Sequence, residues 1–144
     1  MSTLERAIGL AAEAPAGQRG EDGDPYILHP LRVMLRMDDP VDRVVAVLHD
    51  VLEKTPTTQA DLTRAGFSDD VLRAVALLTR EGNDEDYFEH VVGTAGNRHA
   101  HAVKIGDLRD NLASMLALPE ARRDEERTGG YRKALALLGV DDCP

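Results

Sequence analysis

The sequence predicts an all-α fold, and three observations lead to that prediction. Only 3% of the 144 residues are aromatic, so Ala, Leu and Val must supply the core, which favours helices over a β-sandwich. Apolar residues recur at helical spacing along most of the chain, and no stretch alternates at a period of two. No repeat or linker interrupts the pattern. We therefore expect residues 1–144 to form a single domain.

Capping residues and helix breakers divide the chain into its predicted elements. Ser2 or Thr3 can cap the first helix, which Pro15 would end, and Pro30 can open a second helix. The predicted helices are 3–14, about 30–37, 41–54, 58–65, 69–80, 84–95, 98–118 and 119–138, the last with a break at Gly129-Gly130; a turn is predicted at Gly82-Asn83. The fold class is thus a compact bundle of about seven or eight helices.

Two of these elements carry clear start signals. Thr57 or Thr58 can cap the helix that runs to about residue 65, and Asp61 follows Thr58 by three residues, the spacing of a capping box. Ser68 stands just before the apolar positions of the helix predicted over 69–80 and can cap it. The helix over 41–54 is apolar almost throughout, so it is predicted to be buried.

The charge of the chain bounds its partners. The formal charge is −9, and the lysines and arginines form no cluster. Duplex nucleic acid is therefore excluded as a main partner, because contacts to phosphates require a basic surface. A small phosphorylated ligand is compatible with this charge, since a metal ion and a few local cations can hold it.

Targeting and redox signals are also informative. The N-terminus lacks an apolar signal core, and no apolar run approaches the ~18 residues of a membrane span. The sequence therefore predicts a cytoplasmic protein without a membrane partner. The one cysteine, Cys143, excludes an intrachain disulfide and a thiolate metal site.

The dipeptide His49-Asp50 is the first candidate for a functional site. It follows the aliphatic run 44–48, where a buried imidazole and carboxylate would be costly without compensation. A bound divalent cation would compensate both, and Glu53 falls on the same helix face. A hydrogen-bonded pair within the core is the alternative for the dipeptide alone.

A second polar segment lies in the helix predicted over 98–118. Asp107 borders an apolar stripe, and Asn111 lies one turn further on the same face. Asp110 points away from that stripe and is expected to be solvated. Asp107 could ligate a metal, or it could simply pair with Lys104 or Arg109.

Three separated blocks resemble one known family. The matching residues are Gly17-Gln18 with Gly23-x-Pro25-Tyr26-Ile27-x-His29-Pro30; Ala46-x-Leu48-His49-Asp50-Val51-x-Glu53-x-Thr55; and Val103-Lys104-Ile105-x-Asp107-x-x-x-Asn111-Leu112. In order and spacing they resemble the HD-domain metal-dependent phosphohydrolases, in particular the hydrolase domain of the RelA/SpoT homologues and the small alarmone hydrolases.

The resemblance implies a metal centre. It implies that His29, His49, Asp50 and Asp107 are the ligands of one divalent ion, with Mn²⁺ expected. Two imidazoles and two carboxylates also suit Fe²⁺, Co²⁺ or Zn²⁺. The remaining histidines, which fall outside the pattern and are interpreted as surface or helix-packing residues, are His90, His99 and His101.

The resemblance also implies an activity, with two departures. The family has an acidic pair after the His-Asp motif; here Glu53, the expected catalytic base, is followed by Lys54. Where the family has an Arg-Lys pair, this chain reads Arg19-Gly20-Glu21-Asp22, so one arginine is kept and the lysine position is acidic.

The predicted function is a phosphohydrolase acting on a (p)ppGpp-like 3′-pyrophosphorylated guanine nucleotide. The substrate contacts are expected to be Arg19, Lys54, Lys104 and Asn111. The alternatives are hydrolysis of another nucleotide or phosphorylated metabolite, and a non-catalytic nucleotide-binding module.

Overall fold

Helices make up the regular secondary structure of this protein. A computed structural model describes residues 3–13, 17–20, 22–80 and 86–141. Within those ranges, eight α-helices have at least six residues, and the only β pairing is an isolated bridge between Arg19 and Pro25. The all-α prediction is confirmed. The helices are α1 (Leu4–Glu13), α2 (Leu28–Leu35), α3 (Pro40–Leu48), the one-turn α4 (Val51–Lys54), α5 (Gln59–Arg64), α6 (Asp69–Leu78), α7 (Tyr87–Thr94), α8 (Arg98–Leu116) and α9 (Glu125–Leu137).

The predicted capping signals are present. Thr58 and Asp61 form the reciprocal capping box at the start of α5, and the Ser68 hydroxyl accepts the Val71 N–H at the start of α6. Such caps contribute about 1 kcal/mol each, because they satisfy backbone donors that the first helical turn leaves unpaired. The predicted features at Ser2, Pro15, Gly82-Asn83, Asp84 and Cys143 lie outside the described residues.

The predicted start of α2 at Pro30 is wrong. The helix begins at Leu28, so Pro30 is its third residue. Proline is tolerated there because the first-turn N–H groups have no partner within the helix. His29 is consequently held on the first turn of α2 and not in the preceding loop.

The predicted continuous helix over 41–54 is also wrong. It is divided into α3 and α4 by His49 and Asp50, and Asp50 has φ −105° and ψ −1°, a bridge conformation between helix and extended chain. The His49 ring bonds back to the carbonyl of Ala46, a local side-chain bond of the kind that competes with helix propagation. The dipeptide thus lies at a corner of the backbone.

The C-terminal part differs from its prediction in the start of the last helix and in the predicted break, whereas its end agrees. Pro119 is followed by a 3-10 turn over Glu120–Arg122, and α9 begins only after the cap Asp124. The helix then continues through Gly129-Gly130 without a break. An N-cap that accepts the Arg127 N–H, and not the proline, sets the start of α9.

The core is built around α3 and α8. Five consecutive α3 residues, 44–48, are buried, and α3 packs against α1, α2, α6 and α8. The C-terminal half of α8 packs with α9 through a second cluster that includes Leu108, Leu112 and Leu135. Within the described ranges, no helix has both the length and the apolar character needed to cross a membrane.

Gly106 allows α8 to approach α2 closely. A Cβ atom at this position would lie 2.7 Å from Met37 Cε and 3.2 Å from Val33 Cγ1. Glycine lowers helix stability by about 1 kcal/mol relative to alanine in a helix interior, so the close approach of the two helices is obtained at the expense of helix propensity. The close approach brings the neighbouring Asp107 of α8 against His29 of α2.

Candidate metal centre

Four side chains from separate parts of the chain meet at one point. His29 comes from α2, His49 and Asp50 from the corner between α3 and α4, and Asp107 from α8. Each offers a nitrogen or oxygen atom, and these atoms all lie within 4.8 Å of one another. The side chains of His49 and Asp107 are 3% and 8% exposed, and that of His29 is 11% exposed. The four residues predicted from the resemblance are therefore brought together.

His49 is fixed by its own helix. Its Nδ1–H donates to the Ala46 carbonyl at 2.5 Å, so the lone pair of the neutral ring lies on Nε2. Nε2 faces Asp50 Oδ2 at 3.2 Å and Asp107 Oδ1 at 3.3 Å, is buried, and has no hydrogen-bond partner among the residues that the structure describes. A buried lone pair directed at two carboxylates fits a cation ligand, because an ion would satisfy all three groups.

The electrostatics of His49 agree with that fit. Burial lowers its pKa, but the carboxylates of Asp50 and Asp107 outweigh burial and raise the pKa well above its ordinary value. The position therefore favours positive charge strongly. A divalent ion supplies such charge without requiring a protonated imidazole.

His29 is fixed from behind by a carboxylate. Its Nδ1–H donates to Asp110 Oδ2 at 2.6 Å, and its Nε2 lies 2.9 Å from Asp107 Oδ1. Both imidazoles thus use Nδ1 for an orienting bond and turn Nε2 toward Asp107. Burial lowers the pKa of His29, but the bonds to Asp107 and Asp110 outweigh burial, so the net shift of the pKa is upward.

The prediction that Asp110 is solvated is wrong. Its side chain is 4% exposed and accepts bonds from Arg32 Nε at 2.8 Å and Arg32 Nη2 at 3.1 Å, besides the bond from His29. Sequence analysis missed both Asp110 and Arg32. The available signal was spacing, because Asp110 follows Asp107 by three residues and shares its helix face.

The two carboxylates of the cluster are held by further groups. The Tyr26 hydroxyl donates to Asp50 Oδ2, a contact that sequence analysis did not assign. Asp107 accepts from Lys104 Nζ at 3.0 Å and from Asn111 Nδ2 at 3.3 Å. Burial raises the pKa of Asp107, but Lys104 and the two imidazoles lower it more, so the pKa lies well below its usual range. Asp107 is therefore ionised at neutral pH.

The remaining predicted site residues surround the cluster. Glu53 lies one turn after Asp50, and its carboxylate accepts the backbone N–H of Arg80. Lys54 is exposed and lies over the Tyr26 ring, 5.1 Å from its centroid. Arg19 donates to the Gly23 carbonyl at 2.9 Å, within the loop that leads to α2.

The predicted site residues line one cavity of about 750 Å³. They are the four clustered side chains, Glu53, and the four predicted substrate contacts Arg19, Lys54, Lys104 and Asn111. Further lining residues include Arg32, Arg80 and Arg127, and all three tyrosines of the chain, Tyr26, Tyr87 and Tyr131. Cations collected around a deep acidic cluster, in a chain of net charge −9, suit an anionic ligand that reaches a metal ion.

The other histidines make structural contacts. His90 Nε2 lies 3.2 Å from the Leu78 carbonyl, and His101 Nε2 lies 3.3 Å from the Leu138 carbonyl. His99 Nδ1 lies 2.7 Å from Asp42 Oδ1, which joins α8 to α3. These contacts agree with the helix-packing interpretation.

The chain is similar in sequence to enzymes that are named for reactions of (p)ppGpp. The chain is 30% identical over 131 residues to the guanosine-3′,5′-bis(diphosphate) 3′-pyrophosphohydrolase of Aquifex aeolicus, covering 83% of the chain and 19% of that protein. It is 27% identical over 135 residues to the bifunctional (p)ppGpp synthase/hydrolase SpoT of Escherichia coli, covering 83% of the chain and 19% of SpoT. The sequence resembles the RelA/SpoT enzymes. No protein-family model matches the chain.

A solved structure supports the fold. A metazoan orthologue of SpoT, described as hydrolysing ppGpp, superimposes with a TM-score of 0.81 at 23% identity, covering 98% of the chain and 88% of the orthologue. The HD-domain helical fold is thereby confirmed. The chain spans about a fifth of the length of the curated relatives named above.

Proposed function

We propose that this protein is a metal-dependent phosphohydrolase that removes the 3′-pyrophosphate of (p)ppGpp-like guanine nucleotides. One observation carries the proposal: His49 Nε2 is buried, has no hydrogen-bond partner within the described ranges, and faces Asp50 and Asp107 at a cavity of about 750 Å³. The relatives named as ppGpp 3′-pyrophosphohydrolases support the substrate.

The ion would be held by His29, His49, Asp50 and Asp107. Two nitrogen and two carboxylate oxygen donors suit a first-row divalent metal, with Mn²⁺ as the proposed ion and Fe²⁺, Co²⁺ or Zn²⁺ as substitutes. Such an ion supplies Lewis-acid polarisation of a phosphoryl group and a lower pKa for a nearby water molecule.

Glu53 is the proposed proton acceptor. Its carboxylate lines the cavity one turn from Asp50, and a carboxylate is an effective base when the water it deprotonates is already acidified. Water attacks the phosphorus attached to the 3′ oxygen, and Glu53 takes its proton. The bond from phosphorus to the 3′ oxygen breaks, the 3′ oxygen regains a proton, and pyrophosphate leaves.

Cationic side chains provide the substrate contacts in this proposal. Arg19 and Lys54 line the cavity as exposed cations, whereas Lys104 is largely buried and paired with Asp107. Burial lowers the pKa of Lys104, but Asp107 outweighs that effect and raises the net pKa, so Lys104 remains charged. Asn111 offers an amide beside it. These groups attract an anion without making the chain basic.

In this proposal, residues 1–144 act as one hydrolase domain on a small nucleotide in the cytoplasm. The net charge of −9 argues against duplex nucleic acid as a partner.

A non-catalytic nucleotide-binding module is the second candidate function, and Lys54 is the observation that favours it. An exposed lysine occupies the position of the family's second acid and lies over Tyr26, so it cannot share the role of Glu53. The third alternative, a hydrolase of another nucleotide or phosphorylated metabolite, would release phosphate or pyrophosphate from a substrate other than ppGpp.

A substrate panel tests these alternatives. The metal-free protein is supplied with Mn²⁺ and assayed on ppGpp, pppGpp, GDP, GTP and a sugar phosphate, with pyrophosphate and phosphate measured separately. We expect pyrophosphate from ppGpp and pppGpp, none from the His49→Ala, Asp50→Ala double variant, and unchanged release from Asp42→Asn. Binding of ppGpp without turnover would select the non-catalytic module.

A further inference from the structure

Two charged residues, Asp110 and Arg32, lie behind His29 of the candidate metal centre. His29 Nδ1 lies 2.6 Å from Asp110 Oδ2, and Arg32 contacts both oxygens of Asp110 at 2.8 and 3.1 Å. Arg32 and His29 are both on α2, whereas Asp110 is on α8. The bonds therefore join the two helices on the side of His29 away from Asp107.

Asp110 determines which nitrogen of His29 is available. An ionised carboxylate can only accept, so a proton must sit on Nδ1. In the neutral imidazole that metal ligation requires, the lone pair then sits on Nε2, which lies 2.9 Å from Asp107 Oδ1. His49 shows the same arrangement with the Ala46 carbonyl in place of the carboxylate. Orienting bonds of this kind behind a metal-bound imidazole fix its tautomer and raise its basicity.

Arg32 lines the cavity, but its guanidinium is bonded to Asp110. Its guanidinium also contacts Ser114 Oγ at 3.3 Å and Asp22 Oδ2 at 3.7 Å. The groups around Arg32 are thus two carboxylates and a hydroxyl, which leave this arginine less able to bind a phosphate than the exposed Arg19 or Lys54. Its two bonds hold the orientation of Asp110 and balance its buried charge.

We infer that Asp110, held by Arg32, is a positioning residue that presents His29 Nε2 to the metal ion. This inference rests on the metal centre of the proposed function and goes beyond it, because it assigns a role to two residues outside the four ligands. It predicts that both residues control metal affinity, and that neither one binds the substrate.

Metal binding by the full chain is the main test of the inference. Mn²⁺ is titrated calorimetrically into chelator-treated wild type, Asp110→Ala, Asp110→Asn and Arg32→Ala, and Co²⁺ absorption spectra report the ligand geometry. We expect Asp110→Ala to bind Mn²⁺ about 10–100-fold more weakly with an altered Co²⁺ spectrum. Asp110→Asn should lose less, because its amide oxygen can still accept the Nδ1–H bond. Arg32→Ala should also lose less than Asp110→Ala, with an unchanged KM for the nucleotide.

A matched control separates positioning from general destabilisation. Asp42 makes a similar bond to His99, at 2.7 Å, between α3 and α8 but away from the cavity. Asp42→Asn should therefore leave Mn²⁺ affinity unchanged. If Asp110→Ala does not fold, Asp110→Asn and Arg32→Ala carry the same test at smaller effect.

The outcomes distinguish this inference from the proposed function. Wild-type affinity and Co²⁺ spectrum in the folded Asp110 and Arg32 variants would overturn the inference alone. Absence of Mn²⁺ binding to the wild type would overturn the metal centre and the inference together. A raised KM in Arg32→Ala at unchanged Mn²⁺ affinity would make Arg32 a substrate contact and also overturn the inference.

Discussion

Two histidine–carboxylate clusters connect α8 to earlier helices, and they differ in how their polar atoms are used. The first contains His29, His49, Asp50 and Asp107; the second contains Asp39, Asp42 and His99 at the N-terminal ends of α3 and α8. Both bring three or more potential ligand atoms within 4.8 Å of one another. Residue type and proximity alone therefore do not separate them.

The side chains of the second cluster are paired with each other or with nearby backbone groups. His99 pairs with Asp42 at 2.7 Å, and Asp39 accepts the N–H groups of Val41 and Asp42 as the cap of α3. In the first cluster, His49 Nε2 is buried and no described residue forms a hydrogen bond with it, and the cluster opens into the cavity. A satisfied cluster stabilises the fold, whereas an unsatisfied one next to a cavity is prepared for a ligand.

The strongest test of this contrast removes one carboxylate from the first cluster. We expect Asp107→Asn to reduce Mn²⁺ from about one ion per chain to none and to abolish hydrolysis, because the variant loses a ligand that faces both imidazoles. Elemental analysis after Mn²⁺ loading measures the effect, with circular dichroism as a check of folding. One tightly bound ion in Asp107→Asn would contradict the assignment.

Next in size is the effect of Glu53. Glu53→Gln should lower kcat by about 10²–10⁴-fold, the range of general base catalysis, while Mn²⁺ binding is retained. Steady-state kinetics on ppGpp measure it. Glu5→Gln on α1, which does not line the cavity, is the matched control. Full activity of Glu53→Gln would assign proton transfer to another group.

Metal removal should destabilise the protein through the first cluster alone. At a free ion concentration of about 100 times Kd, binding adds about 2.7 kcal/mol to the free energy of unfolding, so chelation should lower Tm. Thermal unfolding with and without Mn²⁺ measures the shift. Asp107→Asn should show no Mn²⁺-dependent shift, and a wild-type Tm indifferent to Mn²⁺ would count against the centre.

Lys54 should have a smaller effect in the opposite direction. We expect Lys54→Asp to increase kcat on ppGpp by about tenfold, because a carboxylate beside Glu53 can orient the water. The lost attraction for phosphate, roughly 1 kcal/mol for an exposed charge, works against this gain. Kinetics at saturating Mn²⁺ decide between the two effects. A decrease with metal occupancy intact would make Lys54 a substrate contact.

The smallest expected effect concerns the second cluster. Asp42→Asn weakens the bond to His99, so it should reduce the free energy of unfolding by about 1 kcal/mol. Urea unfolding measures this loss, and Mn²⁺ affinity should be unchanged. A substantial loss of Mn²⁺ affinity in this variant would show that the two clusters are coupled through α3 and α8.

The sequence predicted the helices better than the corner that shapes the site. Apolar spacing and caps such as Thr58 and Ser68 act locally, so they could be recognised without tertiary structure. The division at His49-Asp50 could not be recognised in this way, because the aliphatic run 44–48 predicts a continuous buried helix. Its geometry depends on the His49 ring bonding to Ala46 and on partners from other helices.

The candidate site was predicted unevenly for a similar reason. The four proposed ligands follow a recognisable order along the chain, whereas the groups that orient them do not. Asp110 was misjudged because helical phase marks it only as lying off the apolar stripe. Its burial comes from Arg32 and His29 of α2, which the close approach at Gly106 brings into contact with α8.

The placement of the tyrosines gives this protein a built-in optical reporter. The chain has no tryptophan, and its three tyrosines all line the cavity. Ultraviolet emission above the weak phenylalanine background therefore originates entirely from the walls of the site. The Tyr26 hydroxyl donates a hydrogen bond to Asp50, and Lys104 Nζ lies 5.8 Å from the centroid of the Tyr87 ring. Ligand or metal entry can consequently be followed as a change in emission of the unlabelled chain.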